Sequence, residues 1–247
     1  YNNSEIAEKT IHEELTPIGG IYYINNNDDF GTFVDMANEY DGSTYHYELK
    51  ANVNATAAIT QPFVGIFDGA GYTITGLTHP LFNTVDGGVV KNVTLKSVNI
   101  NSSANDVGAI AGVAKGYSRI YNCGILPNTA DFPEGTHPTV KTTGRCAGGI
   151  VGCLQDDSRV INCYSYADVQ AADTASGIVG NNTYASNTTV TDNKYTQLRT
   201  AIVNCLFYGD INGGTNQYGV YGGQLITNAA TTGISSYNYF RNRTKVT

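Results

Sequence analysis

The sequence predicts an all-β chain wound as a parallel β-helix, a three-sided stack of coils of about 28 residues each, with a short helix over its N-terminal end. Two features of the residue pattern carry that expectation. Short apolar blocks recur in a fixed order along the chain. Within the blocks, β-branched residues alternate with variable ones, as the two faces of a strand require. Composition agrees. The 247 residues include 28 Gly but 6 Pro, and only 14 % are charged. Such a chain is rich in strand and turn residues and poor in the Lys and Glu that fill exposed helix faces.

The elements follow in chain order. Asp28 and Asp29 precede Phe30, Phe33, Val34 and Ala37, an apolar stripe at helical spacing with acidic residues in its first turn. This spacing predicts a helix over about 28–40, inside an N-terminal cap region of residues 1–62. Residues 63–247 then form the repeat. Its first block reads GAIAG at 108–112, GGIVG at 148–152, SGIVG at 176–180 and GVYGG at 219–223. A second block reads SRIYNC at 118–123, SRVINC at 158–163, TAIVNC at 200–205 and TGISSY at 232–237, with an earlier copy GVVKNV at 88–93. A third reads VNI at 98–100, ADV at 167–169 and GDI at 209–211. Gly148 and Ser176 lie 28 positions apart. The longer intervals hold insertions at about 124–139 and 181–199, which belong at corners where loops tolerate length. The last repeat carries no capping pattern, so the chain reads as cut from a longer one.

Val90, Ile120, Val160, Ile202 and Ile234 share one repeat position and are expected to face inward. Asn92, Asn122, Asn162 and Asn204 follow two residues later, with Ser236 in the last unit. Equal parity predicts an inward asparagine ladder, each amide bonded to its copies about 4.8 Å above and below. Cys123, Cys163 and Cys205 come next and read as small buried residues in a core column. Five cysteines without Cys-x-x-Cys or Cys/His spacing give no reason to expect a metal site.

The G-G-I-V-G and I-x-N-C units resemble the GLUG repeat of bacterial surface proteins, which is also found in parts of some IgA-specific metallopeptidases. FVGIFDGAGYTITGL at 63–77 is similar to the run that precedes those repeats, and PLFN at 80–83 stands where that family often has G-L-F-G. The resemblance covers the chain from about residue 20 onward. It implies a right-handed β-helix from a long extracellular protein, at the bacterial surface or secreted.

Charge and motif narrow the function. Fourteen Lys and Arg stand against 21 Asp and Glu, a net charge of −7 with no basic stripe, so a nucleic-acid partner is not expected. No apolar run reaches the length of a membrane helix. No His-Glu-x-x-His, Gly-x-Ser-x-Gly or phosphate loop occurs, so peptidase activity cannot be placed on these residues, and no cofactor is expected. Asp156 and Asp157 are the weak candidates for carboxylate catalysis in a β-helix lyase or glycoside hydrolase, the rival reading. A binding surface has more support. Tyr164, Tyr166, Tyr208 and Phe240 fall at outward positions and predict an aromatic stripe along the axis, suited to a host or matrix glycan or protein. The sequence therefore favours a monomeric, non-catalytic stalk or adhesin-like module of a longer chain.

Overall fold

The computed structural model describes residues 14–39, 41–128, 136–182, 201–212, 215–220, 234–236 and 238–242. Its strands form five sheets, and every strand-to-strand ladder is parallel. Sheet A has eight strands stacked in chain order: Ile21–Ile24, His46–Leu49, Ile66–Asp68, Val89–Lys91, Arg119–Tyr121, Arg159–Ile161, Ala201–Val203 and Ile234–Ser236. Sheet B has seven: Val53–Asn54, Thr73–Thr75, Thr94–Lys96, Gly124–Ile125, Tyr164–Ser165, Leu206–Gly209 and Tyr239–Asn242. Three four-stranded sheets complete the set. Sheet C opens with Phe82–Asp86, sheet D with Asn99–Ser102 and sheet E with Asp106–Val107.

From residue 82 the chain visits the sheets in the order C, A, B, D, E and then returns to C. Each turn thus lays down five short strands where the sequence blocks suggested three. The reason is local. The glycine block is a corner: Gly148 ends a strand of sheet E and Val151 begins one of sheet C. Val151 then pairs with Val179, 28 positions on. Val160 pairs with Ile202, as equal repeat positions require. The last turn departs from expectation. Ser235, not Ile234, pairs with Ile202, so the register there is one residue off the sequence count.

The glycines of the repeat answer to close packing between sheets C and E. A Cβ on Gly152 would stand 2.2 Å from the Val107 nitrogen and 2.6 Å from the Gly112 oxygen. On Gly148 it would stand 2.1 Å from the Val151 oxygen, and on Gly180 2.6 Å from the Ala147 carbonyl carbon. Backbone meets backbone at this corner in successive turns, and only glycine fits.

Inward side chains make one continuous core. Val90, Ile120, Val160 and Ile202 are buried, as are Val93, Cys123, Cys163 and Cys205 in the next column. At the N-terminal end the core is aromatic. Phe33 stacks on Phe67 at 4.9 Å between ring centroids and meets Tyr47 edge-on at 4.6 Å. Phe33 belongs to helix α1, Asn27–Ala37, which also buries Phe30, Val34 and Ala37 against that end. Asn26 caps the helix by accepting from the Asp29 N–H at 2.9 Å. The helix stops at Asn38, whose Oδ1 accepts from the Thr60 N–H at 2.7 Å and ties the helix end to the next loop. No described helix is long and apolar enough to cross a membrane.

Candidate functional site

The asparagine ladder exists, but it faces water. Asn122, Asn162 and Asn204 are exposed and Asn92 is partly so. All four take left-handed backbone angles, with φ between 52° and 55°. That conformation turns the chain at the corner between sheets A and B and breaks the period-two alternation. Parity counted straight through the corner therefore sends the asparagines inward, and the structure corrects it. Asparagine suits the position because it tolerates the left-handed region better than other non-glycine residues. The amides bond as a directed chain. Asn204 Nδ2 donates to Asn162 Oδ1 at 2.8 Å, Asn162 to Asn122 at 3.2 Å, Asn122 to Asn92 at 3.1 Å, and Asn92 to Asp68 Oδ1 at 2.9 Å. Asp68 terminates the ladder and pairs with Lys91 at 2.9 Å. Burial alone would raise its carboxyl pKa. Hydrogen bonds from Asn92, Lys91 and the Ala70 N–H outweigh burial and hold the group below its ordinary value.

The thiols below the ladder are structural. All five cysteines are buried thiols, none of them in a disulfide. Cys123, Cys163 and Cys205 each direct Sγ at a carbonyl of the preceding turn, Val90, Ile120 and Val160, at 3.7–3.8 Å. Burial drives the Cys163 thiol well above its ordinary range. Among the described residues no group of three or more His, Cys, Asp or Glu could hold a metal ion.

Asp156 and Asp157 occupy consecutive left-handed positions of one turn, with φ of 49° and 56°. The equivalent turn of the preceding coil has Gly116 and Tyr117 in the same conformation. Burial, then the charge of Asp156, raises the Asp157 pKa against the pull of Arg159. The two carboxylates are neighbours on one turn, whereas glycoside hydrolysis needs a pair facing each other across a groove.

The tyrosines come together on the outer face of sheet B. Along that face Thr94, Gly124, Tyr164, Leu206 and Tyr239 follow one another in register. The alternating residues Leu95, Ile125, Ser165 and Phe207 are buried in the core. Tyr164 lies across Gly124. A Cβ on that glycine would stand 2.2, 2.3 and 2.4 Å from Cζ, Cε1 and Cε2 of the ring. Near-equal distances to three adjacent ring atoms put the glycine under the ring face, so Tyr164 is laid flat on the sheet. The phenol reaches the Thr94 side chain. Tyr166 stands at 76° to the Tyr164 ring with centroids 6.3 Å apart, and Tyr208 follows Tyr166 at 5.9 Å. Leu126, Asn162, Asn204 and Leu206 complete a groove of about 420 Å³ with Tyr164 and Tyr166.

Phe240 does not join this row by register. It pairs with Phe207, and Arg241 is the residue opposite Tyr208. The one-residue shift of the last turn moves Phe240 from the outward position counted in sequence to the register of a buried one. The insertions expected to carry ligand contacts fall largely outside the described residues, which omit 129–135 and 183–200. Leu126, at the start of the first insertion, lines the groove. Sequence reasoning missed Gly124, although a glycine inside a strand is itself a sign that something approaches the backbone closely.

Comparison with known proteins places these features in context. Residues 26–125 match a family profile described as the M26 IgA1-specific metallo-endopeptidase N-terminal region. The chain is 36 % identical over 110 residues to an immunoglobulin A1 protease of Streptococcus sanguinis, which covers 40 % of this chain and 6 % of that protein. It is 30 % identical over 102 residues to an immunoglobulin A1 protease of Streptococcus pneumoniae strain R6, covering 37 % of this chain and 5 % of the relative. A solved structure from Bacteroides ovatus, described as a candidate immunoglobulin A1 protease, superposes with a TM-score of 0.53 at 17 % identity, over 90 % of this chain and 83 % of that one. That likeness is one of fold. The chain thus spans a small fraction of the curated relatives it matches, and what it matches in the profile is an N-terminal region.

Proposed function

We propose that this chain is a stretch of right-handed parallel β-helix of the GLUG-repeat type, a non-catalytic module of a long extracellular bacterial protein. Residues 1–62 belong to its N-terminal cap and 63–247 to the coils. The module holds a ligand-facing side outward from the cell surface, in the manner of a stalk or adhesin. Several observations support this reading. Strands of five parallel sheets are added in chain order, turn upon turn. The repeated residues have structural duties: glycines at the corner of sheets C and E, cysteines in the core, asparagines at the corner of sheets A and B. The matched profile is named for an N-terminal region, and the matched relatives are many times longer than this chain.

The single observation that carries the functional half is the tyrosine groove. Thr73, Thr75, Thr94 and Lys96 make the outer face of sheet B polar in its first strands. Beyond Gly124 the same face turns aromatic and apolar, with Leu206 and Tyr239 exposed. A scaffold alone gives no reason for that change, whereas amphipathic rings at a surface suit recognition. The test is retention of the chain on mucin-coated beads. Wild-type protein is expected to be retained, and Tyr166→Ala/Tyr208→Ala to lose at least tenfold in retention at unchanged melting temperature. Tyr117→Ala, an exposed tyrosine outside the groove, is expected to behave as wild type. Equal retention of all three proteins removes the groove from the function.

A further inference from the structure

We infer that the groove on sheet B binds a neutral oligosaccharide that runs parallel to the axis of the stack, with one pyranose ring on Tyr164. This rests on the reading of that face as the ligand side and names the ligand class.

The first ground is the posture of the rings. Tyr164 lies flat because Gly124 leaves no Cβ beneath it. A ring pressed flat on a sheet offers its opposite face outward, and the apolar C–H face of a pyranose stacks on such a surface. Tyr166 stands nearly perpendicular beside it at 76° and forms a wall. Platform and wall together make a slot suited to a flat, rigid ring. A peptide would instead seek the backbone groups of a strand edge, and this groove lies on the face of a paired sheet.

The second ground is the hydrogen-bonding rim. Each amide in the ladder offers two N–H groups and two acceptor lone pairs. Asn162 donates one N–H to Asn122 and accepts once from Asn204. One N–H and one lone pair stay unused on an exposed side chain whose orientation the ladder already fixes. Asn204 donates one N–H to Asn162, and both border the groove. A donor and an acceptor held side by side match the hydroxyl groups of a sugar, which give and take hydrogen bonds at once. The pattern repeats with each rung, about 4.8 Å, close to the rise of one residue in an extended glycan.

The third ground is charge. No residue lining the groove is charged, while the chain carries a net charge of −7. Sialylated or sulfated glycans would meet no cation among the residues that line the groove. Leu126, Tyr164 and Leu206 come from three successive turns. The contact length is therefore about three sugars.

The experiment is titration of the full 247-residue chain with neutral hexose oligosaccharides of one to six residues on a printed array, then by calorimetry. Sialylated forms of the same oligosaccharides run beside them. Wild-type protein is expected to bind a subset of the neutral series, with affinity rising to about three residues and then levelling, and to bind the sialylated forms at least fivefold more weakly. Gly124→Ala evicts the Tyr164 ring from its platform without a backbone conflict, since Gly124 does not occupy the left-handed region. It is expected to weaken binding at least tenfold with the Tyr164 side chain still present. Tyr164→Ala gives a second, independent removal of the platform. No neutral binding by wild type at millimolar concentration overturns the inference, as does binding as tight as wild type's by folded Gly124→Ala and Tyr164→Ala proteins. Tighter binding of the sialylated series also overturns it. If wild type ignores every oligosaccharide yet is retained on mucin beads in a manner dependent on Tyr166 and Tyr208, the glycan inference fails and the module reading stands.

Discussion

Replacing Asn162 separates the two duties of the ladder. Its side chain donates to Asn122 at 3.2 Å and accepts from Asn204 at 2.8 Å, and its φ is 55°. Alanine loses both bonds and lacks the short polar side chain whose local hydrogen bonding lets asparagine hold the left-handed region, where other L-residues lose about 1–2 kcal/mol. Two solvent-exposed amide bonds at the low end of the usual range add about 1 kcal/mol together. Asn162→Ala is therefore expected to cost about 2.5 kcal/mol. For a chain of this size that lowers the melting temperature by about 5–10 °C. Glycine loses the same bonds but relieves the strain, and adds only about 0.5 kcal/mol of unfolded-chain freedom. Asn162→Gly is expected to cost about 1.5 kcal/mol. Urea denaturation followed by circular dichroism resolves that difference if the slope stays constant. A glycine variant as unstable as the alanine variant would refute the claim that backbone geometry selects asparagine here. Two variants as stable as wild type would refute the ladder itself.

Three further outcomes follow from the same geometry. Gly152→Ala forces a Cβ to 2.2 Å from the Val107 nitrogen, so it should destabilise by about 3 kcal/mol or fail to fold, measured by soluble yield and melting temperature beside wild type. All five cysteines are buried and none is in a disulfide, and burial pushes the Cys146 thiol up to about 11. A thiol reagent should find five reactive groups in denaturant and almost none in the native protein at pH 8, and any disulfide would contradict this. Asp68 is held below its ordinary pKa in the fold. Its contribution is then present above the unfolded carboxyl value of about 3.9 and lost as pH falls through the lower folded value. Asp68→Asn should melt below wild type at pH 7, and the gap should close on acidification to about pH 2.

The inward columns were legible because buried β-branched residues recur at one repeat position. Val160 and Ile202 can be paired by eye, and they are paired in the structure. The helix was legible from Phe30, Phe33, Val34 and Ala37, and it ends three residues before the stripe suggested because Asn38 turns to serve Thr60. Backbone conformation was not legible. Nothing in I-x-N-C states that the asparagine is left-handed, so parity placed three exposed side chains and the half-buried Asn92 inside. Five strands per turn were hidden because a glycine corner and a glycine strand have the same composition. The shifted register of the last turn was hidden for a related reason. The last unit has Ile234 at the counted position but Ser236 in place of the asparagine that anchors the count in earlier turns, and the error carried Phe240 into the tyrosine row. Tyr164, Tyr166 and Tyr208 were found from alternation alone, since no left-handed residue interrupts Cys163 to Val169. The role of Gly124 depends on a contact between neighbouring turns, which a single strand's pattern does not contain.

The central claim is that ligand contact lies on the tyrosine face of sheet B. Oxidative footprinting of tyrosines tests it directly, comparing the free chain with the chain held on mucin-coated beads. Tyr164, Tyr166 and Tyr208 should lose reactivity at least threefold on the beads. Tyr117, which is 57 % exposed and lies outside the groove, should label equally in both states. Protection of Tyr117 with unchanged labelling of Tyr166 and Tyr208 would contradict the account and place the ligand on another side of the stack.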